Sequence, residues 1–114
     1  MDKFNAQIYC GLRKGYSKKI YSFEDAEKIC QRYVDKIGWC VTITKTRYIY
    51  KNGNEDGVII GIINYPRFPT NVTILKNRTM ELAENLMVNL NQNRVTVIIN
   101  GVSKMLQNKC QKEV

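Results

Sequence analysis

The chain has 114 residues, 44% of them hydrophobic, and carries a formal net charge of +8 with no histidine. That length holds one domain with one modest core. Without histidine there is no Ser–His or Cys–His nucleophile pair, no histidine metal site and none of the commonest general base, while the basic excess favours anionic partners.

The opening residues are polar, and the longest apolar run, Val58 to Ile63, is too short to span a bilayer. The expectation is a cytoplasmic protein with no membrane partner. From Asn5 to Leu12 the side chains of Ala6, Ile8, Cys10 and Leu12 alternate with Gln7, Tyr9 and Gly11, the period of a half-buried strand. A basic loop follows, holding Arg13, Lys14, Tyr16, Lys18 and Lys19. Ser22 then stands three residues before Asp25, a capping-box spacing, and Ala26, Ile29, Cys30, Tyr33, Val34 and Ile37 recur at helical spacing up to Gly38.

Trp39 to Tyr50 is rich in β-branched and aromatic residues and predicts a second strand. Asn52-Gly53 and the stretch Asn54 to Gly57 have turn chemistry, so Glu55 and Asp56 read as part of a hairpin turn and the third strand as Val58 to Tyr65. That strand is apolar on both faces, which predicts a central position; which of its two rows faces the helices is open. Pro66 to Pro69 ends it. Leu75, Thr79, Leu82, Ala83, Leu86 and Leu90 mark a second helix over Thr73 to Asn91, and Val95, Val97 and Ile99 point inward from a last strand over Arg94 to Asn100. From Val102 the chain is expected to extend an edge briefly; residues 1–107 form one domain in this reading, with 108–114 a flexible tail.

A β-α-β-β-α-β order with right-handed crossovers predicts an α+β, ferredoxin-like sandwich: a four-stranded antiparallel sheet in the order 4-1-3-2 with two helices on one face. The other face is left open and carries Tyr9, Thr42 and Tyr48, together with Arg47 in a nucleic-acid-binding reading. Its apolar content predicts a homodimer or higher homo-oligomer. Two ends of the sandwich join basic residues to a helix N-terminus, an arrangement suited to phosphate. One end has Arg13, Lys14, Tyr16, Lys18 and Lys19; the other has Arg67 and Phe68, with packing under the loop as the alternative for Phe68 and Tyr65. The four cysteines, Cys10, Cys30, Cys40 and Cys110, form no C-x-x-C pair, and no catalytic residue, metal or cofactor is expected.

Ile8-Tyr9-Cys10-Gly11-Leu12 resembles the first-strand motif of RNA-recognition domains, in which the aromatic residue stacks on a base; Gly57 to Tyr65 lacks the matching third-strand pattern. The segments Ile8 to Leu12, Cys40-Val41-Thr42 and Ile63 to Pro69 resemble those of small phage and prophage proteins of low-GC bacteria. That resemblance implies a counter-defence role in the host cytoplasm. The expected function is therefore a non-enzymatic inhibitor binding an anionic nucleotide, a nucleic acid or a host effector protein. The alternatives are a single-stranded nucleic-acid binder and a self-associating structural protein.

Overall fold

The structure, a computed structural model, describes residues 3–15 and 17–108. Seven elements follow in chain order: β1 (Asn5–Gly11), α1 (Phe23–Ile37), β2 (Thr42–Tyr50), β3 (Gly53–Ile63), α2 (Val72–Asn89), β4 (Arg94–Ile99) and β5 (Val102–Gln107). One antiparallel sheet runs β2-β3-β1-β4-β5. The expected 4-1-3-2 order is present within it, but the sheet has five strands rather than four. The additional strand follows a tight turn at Asn100 and Gly101, both at positive φ (48° and 86°). An Asn-Gly pair adopts that backbone at low cost and pairs the chain back on β4.

Cross-strand register decides which row of β3 is covered. Cys10, Ile8 and Ala6 stand opposite Val58, Ile60 and Ile62, so these six side chains share one face, and all are buried. They meet Ala26, Ile29, Cys30 and Tyr33 of α1 and Leu75, Leu82, Ala83 and Leu86 of α2, with Val95 and Val97 of β4 completing the core. Ile59, Gly61 and Ile63 consequently occupy the open face. Burial pushes the thiols of Cys10 and Cys30 up to about 12, helped by each thiol's neighbour, Cys30 in the first case and Glu27 in the second. Both behave as small core hydrophobes at neutral pH.

The first helix forms as its sequence requires. The Ser22 hydroxyl accepts from the Asp25 N–H at 3.1 Å and the Asp25 carboxylate accepts from the Ser22 N–H at 2.9 Å, while Gly38 closes the other end in the left-handed region at φ 71°. Ser22→Ala is expected to cost about 1 kcal/mol, read as a lower midpoint in urea with an unchanged slope. The Ser22 backbone N–H also holds the Asp25 carboxyl below its ordinary value. Its contribution is therefore present above the unfolded carboxylate range and is lost as pH falls through the lower, folded value.

Several boundaries differ from the sequence reading. β2 begins at Thr42 rather than Trp39, and β3 begins at Gly53, so Glu55 and Asp56 lie in a strand and not in a turn. Pairing of Tyr50 with Gly53 leaves only Lys51 and Asn52 in the connection, and strand pairing here overrides local turn chemistry. Asn108 is buried and donates its N–H to the Asn93 carbonyl at 2.9 Å, so the fold extends one residue into the expected tail; residues 109–114 lie outside the described ones. Among the described residues, no helix is long and apolar enough to cross a membrane.

Candidate active site

The β2–β3 hairpin runs on past the end of β1, whose last pair is Gly11 with Gly57. The step between the long hairpin and the shorter strands makes a pocket of about 200 Å³ on the open face of the sheet. Tyr9 and Gly11 come from β1, Tyr48 from β2, Glu55 from β3, Arg94 and Thr96 from β4, and Gln92 from the turn before β4. Six of these seven positions belong to strands, so the pocket is held by ladder hydrogen bonds rather than by mobile loops.

Alternation explains how the polar groups converge. Glu55 stands opposite Tyr48, and Tyr9 stands between Ile59 and Thr96. The floor is made by glycine. A methyl group on Gly11 would stand 2.9 Å from Gln92 Oε1 and 3.3 Å from Glu55 Oε2. One on Gly57 would run into the Tyr48 ring and reach within 2.9 Å of the Cys10 carbonyl oxygen. Burial pushes the Tyr48 phenol up, and the neighbouring Cys10, Glu55 and Tyr9 add to the effect. Tyr48 therefore stays protonated at neutral pH and offers an O–H donor. The Tyr9 hydroxyl donates to Gln7 Oε1 at 3.4 Å.

The residues singled out from sequence fall in several places. Tyr9 and Tyr48 line the pocket. Arg13 reaches its edge, with Nη2 4.0 Å from Glu55 Oε1. Lys14, Lys18 and Lys19 are exposed on the adjoining loop, which is tied to this end by Gly15 N–H donating to the Asn91 carbonyl at 2.9 Å; Tyr16 lies outside the described residues. Thr42 is exposed on the open face opposite Gly61, away from the pocket. Arg47 is not on the open face. It pairs with Asp56 at 3.0 Å and donates to Asn54 Oδ1 at 3.1 Å, and its strand neighbour Lys45 stands over the Phe23 ring of α1, on the helix side. Adjacent strand residues cannot share a face, so Tyr48 and Arg47 part company.

Arg67 and Phe68 lie at the opposite end, beside a second cleft of about 220 Å³ whose walls include Trp39, Tyr65, Phe68 and Arg78. Phe68 is 69% exposed and does not pack under its loop. Both helix N-termini carry side-chain caps of their own. The Asp25 carboxylate occupies the N-terminus of α1, and Asn71 Oδ1 already accepts from the Thr73 and Ile74 N–H groups of α2 at 2.8 and 3.4 Å. Among the described residues, no cluster of histidine, cysteine or carboxylate side chains could hold a metal.

Sequence reasoning missed Glu55, Gln92 and Arg94 as site residues. The Asn52-Gly53 pair marks the turn, but only a connection of Lys51 and Asn52, which pairs Tyr50 with Gly53, places Glu55 opposite Tyr48.

No family model matches the sequence, and no curated protein sequence matches it. Two solved structures share the fold. A phage SAM lyase in complex with S-methyl-5'-thioadenosine superposes with a TM-score of 0.81 at 20% identity, covering 96% of this chain and 93% of the other. A phage SAM lyase in the apo state superposes at 0.80 and 21% identity, covering 96% and 92%. These neighbours are phage proteins, in keeping with the phage resemblance, and they are enzymes. The expectation of a non-enzymatic inhibitor is thereby corrected: a missing histidine is no argument against catalysis on a fold that carries a lyase.

Proposed function

We propose that the chain is an enzyme that cleaves S-adenosylmethionine (SAM), or a closely related sulfonium nucleoside, in the pocket of Tyr9, Tyr48, Glu55, Gln92 and Arg94. The observation that carries this reading is the joining of one carboxylate, Glu55, with two phenol rings in one strand-built pocket, on a fold shared with phage SAM lyases. The substrate is cationic at sulfur, and the aromatic faces of Tyr9 and Tyr48 attract such a charge. Arg94 supplies a guanidinium in the same pocket for the substrate carboxylate.

The chemistry asks little of the protein in proton transfer. Breaking the carbon–sulfur bond returns its electron pair to sulfur, so the sulfonium becomes a neutral thioether. A lyase adds no water, so the carbon left behind takes its new electron pair from within the same amino-acid fragment. Charge disappears as this happens, and a site that excludes water and fixes the fragment's conformation favours it. Rigid strands and protonated Tyr48 fit that task. A histidine is not needed.

In a phage, consuming SAM would counter host defences that depend on it, which replaces sequestration of a signal as the counter-defence role. The open face also favours self-association, because Ile63 and Met105 are exposed there, at 41% and 57%; light scattering on the eluted protein reads the oligomeric state. The decisive experiment is incubation of the purified protein with SAM, followed by mass spectrometry for S-methyl-5'-thioadenosine. Formation above a protein-free control is expected. Unchanged SAM sinks the reading.

A further inference from the structure

We infer that the corner formed by Gly11, Glu55 and Gln92 receives the α-ammonium group of an amino-acid-bearing substrate. The inference rests on the functional reading above and names a group on the substrate which that reading leaves unplaced.

Gln92 carries the first part of the argument. The residue is 6% exposed, and Nε2 donates both to the Arg13 carbonyl at 2.7 Å and to the Leu90 carbonyl at 2.9 Å. Two backbone carbonyls thus consume both amide hydrogens and fix the amide's orientation. What remains is Oε1, an acceptor, and it stands over Gly11. Replacing the amide's orientation would cost two buried carbonyls their partner, so the acceptor is locked in place.

Glu55 carries the second part. Its Oε1 faces Arg13 Nη2 across a loose 4.0 Å pair, while Oε2 lies 3.3 Å from the point where a Gly11 methyl would stand, the same point that Gln92 Oε1 approaches to 2.9 Å. Two acceptors, one of them anionic, thus come together against Gly11, a close approach that a Cβ there would block, and a single donor group seated above them in the pocket can reach both. Phosphates, carboxylates and carbonyls are acceptors and would be repelled there. An ammonium group is compact, positively charged and carries several N–H donors, so it can satisfy both oxygens at once. Arg94 lines the same pocket and carries the opposite charge. Acceptor corner and guanidinium together complement the zwitterionic head of an α-amino acid, and the ring faces of Tyr9 and Tyr48 remain for the rest of the molecule.

Three probes test this by calorimetry. S-adenosylhomocysteine carries the ammonium without a sulfonium charge; its deamino counterpart has hydrogen in place of the ammonium; S-methyl-5'-thioadenosine lacks the amino-acid fragment. Wild-type protein is expected to bind S-adenosylhomocysteine at least about tenfold more tightly than the deamino compound. In Gly11→Ala and in Glu55→Gln that ratio is expected to fall towards one, with affinity for S-methyl-5'-thioadenosine held within about threefold. Should Gly11→Ala melt early, Glu55→Gln alone gives the ratio. A ratio of one in the wild type, or a ratio that persists in a folded variant, overturns the inference and leaves the functional reading standing if S-methyl-5'-thioadenosine still binds. Failure of every probe to bind overturns both.

Discussion

Glu55→Gln is expected to raise the KM for SAM by about ten- to a hundredfold while kcat stays within about threefold of wild type. The reasoning turns on which part of the substrate Glu55 touches. An ammonium group keeps its charge through the reaction, so an anion that holds it stabilises the bound substrate and the transition state alike. Uniform binding of that kind lowers KM and leaves kcat where it was. Were Glu55 instead to take a proton from the carbon chain in an elimination, its contribution would exist only in the transition state, and kcat would fall by about 10²- to 10⁴-fold. Steady-state rates over a wide range of SAM concentrations separate the two. The glutamine is close in size and retains an oxygen, and Glu55 is only partly buried, so the variant is expected to keep the wild-type melting temperature.

The legibility of this site from sequence was uneven for identifiable reasons. The first helix could be read to the residue because Ser22, Asp25 and Gly38 act through local backbone geometry, and that is what short-range sequence patterns encode. The buried stripe of the second helix was equally plain, since Leu75, Thr79, Leu82, Ala83, Leu86 and Leu90 are all buried. The choice between the two isoleucine rows of β3 was not, because both rows are apolar and only the pairing of Ile8 with Ile60 decides it. β5 was legible only as a brief edge extension from Val102, and not as a full strand, for another reason. It is an edge strand exposed at every position except the half-buried Leu106, so it lacks the alternation that marks a covered strand, although Asn100-Gly101 announced its turn. Glu55 was lost inside the turn-like run Asn52 to Gly57, of which Gly53 to Gly57 takes its extended conformation from pairing with Thr46 to Tyr50 on the partner strand. Gln92 and Arg94 come to Tyr9 only through the sheet order, and no local spacing announces a neighbour more than 80 positions away.

Gly57→Ala is expected to injure the site and the fold together, and the two effects can be separated. The Tyr48 ring lies across Gly57, and the same point is approached to 2.9 Å by the backbone oxygen of Cys10. An added methyl group must therefore tilt the ring and press on a neighbouring strand. Overpacking of this kind costs about 1–3 kcal/mol, against a gain of about 0.4–1 kcal/mol from a stiffer unfolded chain, so net destabilisation is expected in urea. The ring is the part that can move and the carbonyl is the part that cannot. In a Tyr48→Ala background the first of these contacts is gone, and adding Gly57→Ala should then cost less than it does in the wild type by about 0.5 kcal/mol or more. Simple additivity would mean that the ring and the glycine do not share the space described here. In the single variant the tilted ring no longer closes the pocket beside Glu55, so affinity for S-methyl-5'-thioadenosine is expected to drop at temperatures where the protein is still fully folded. Glycine at this position is then a requirement of the pocket as well as of the sheet: it lets an aromatic side chain lie flat on a strand and present its protonated hydroxyl at the edge of the site.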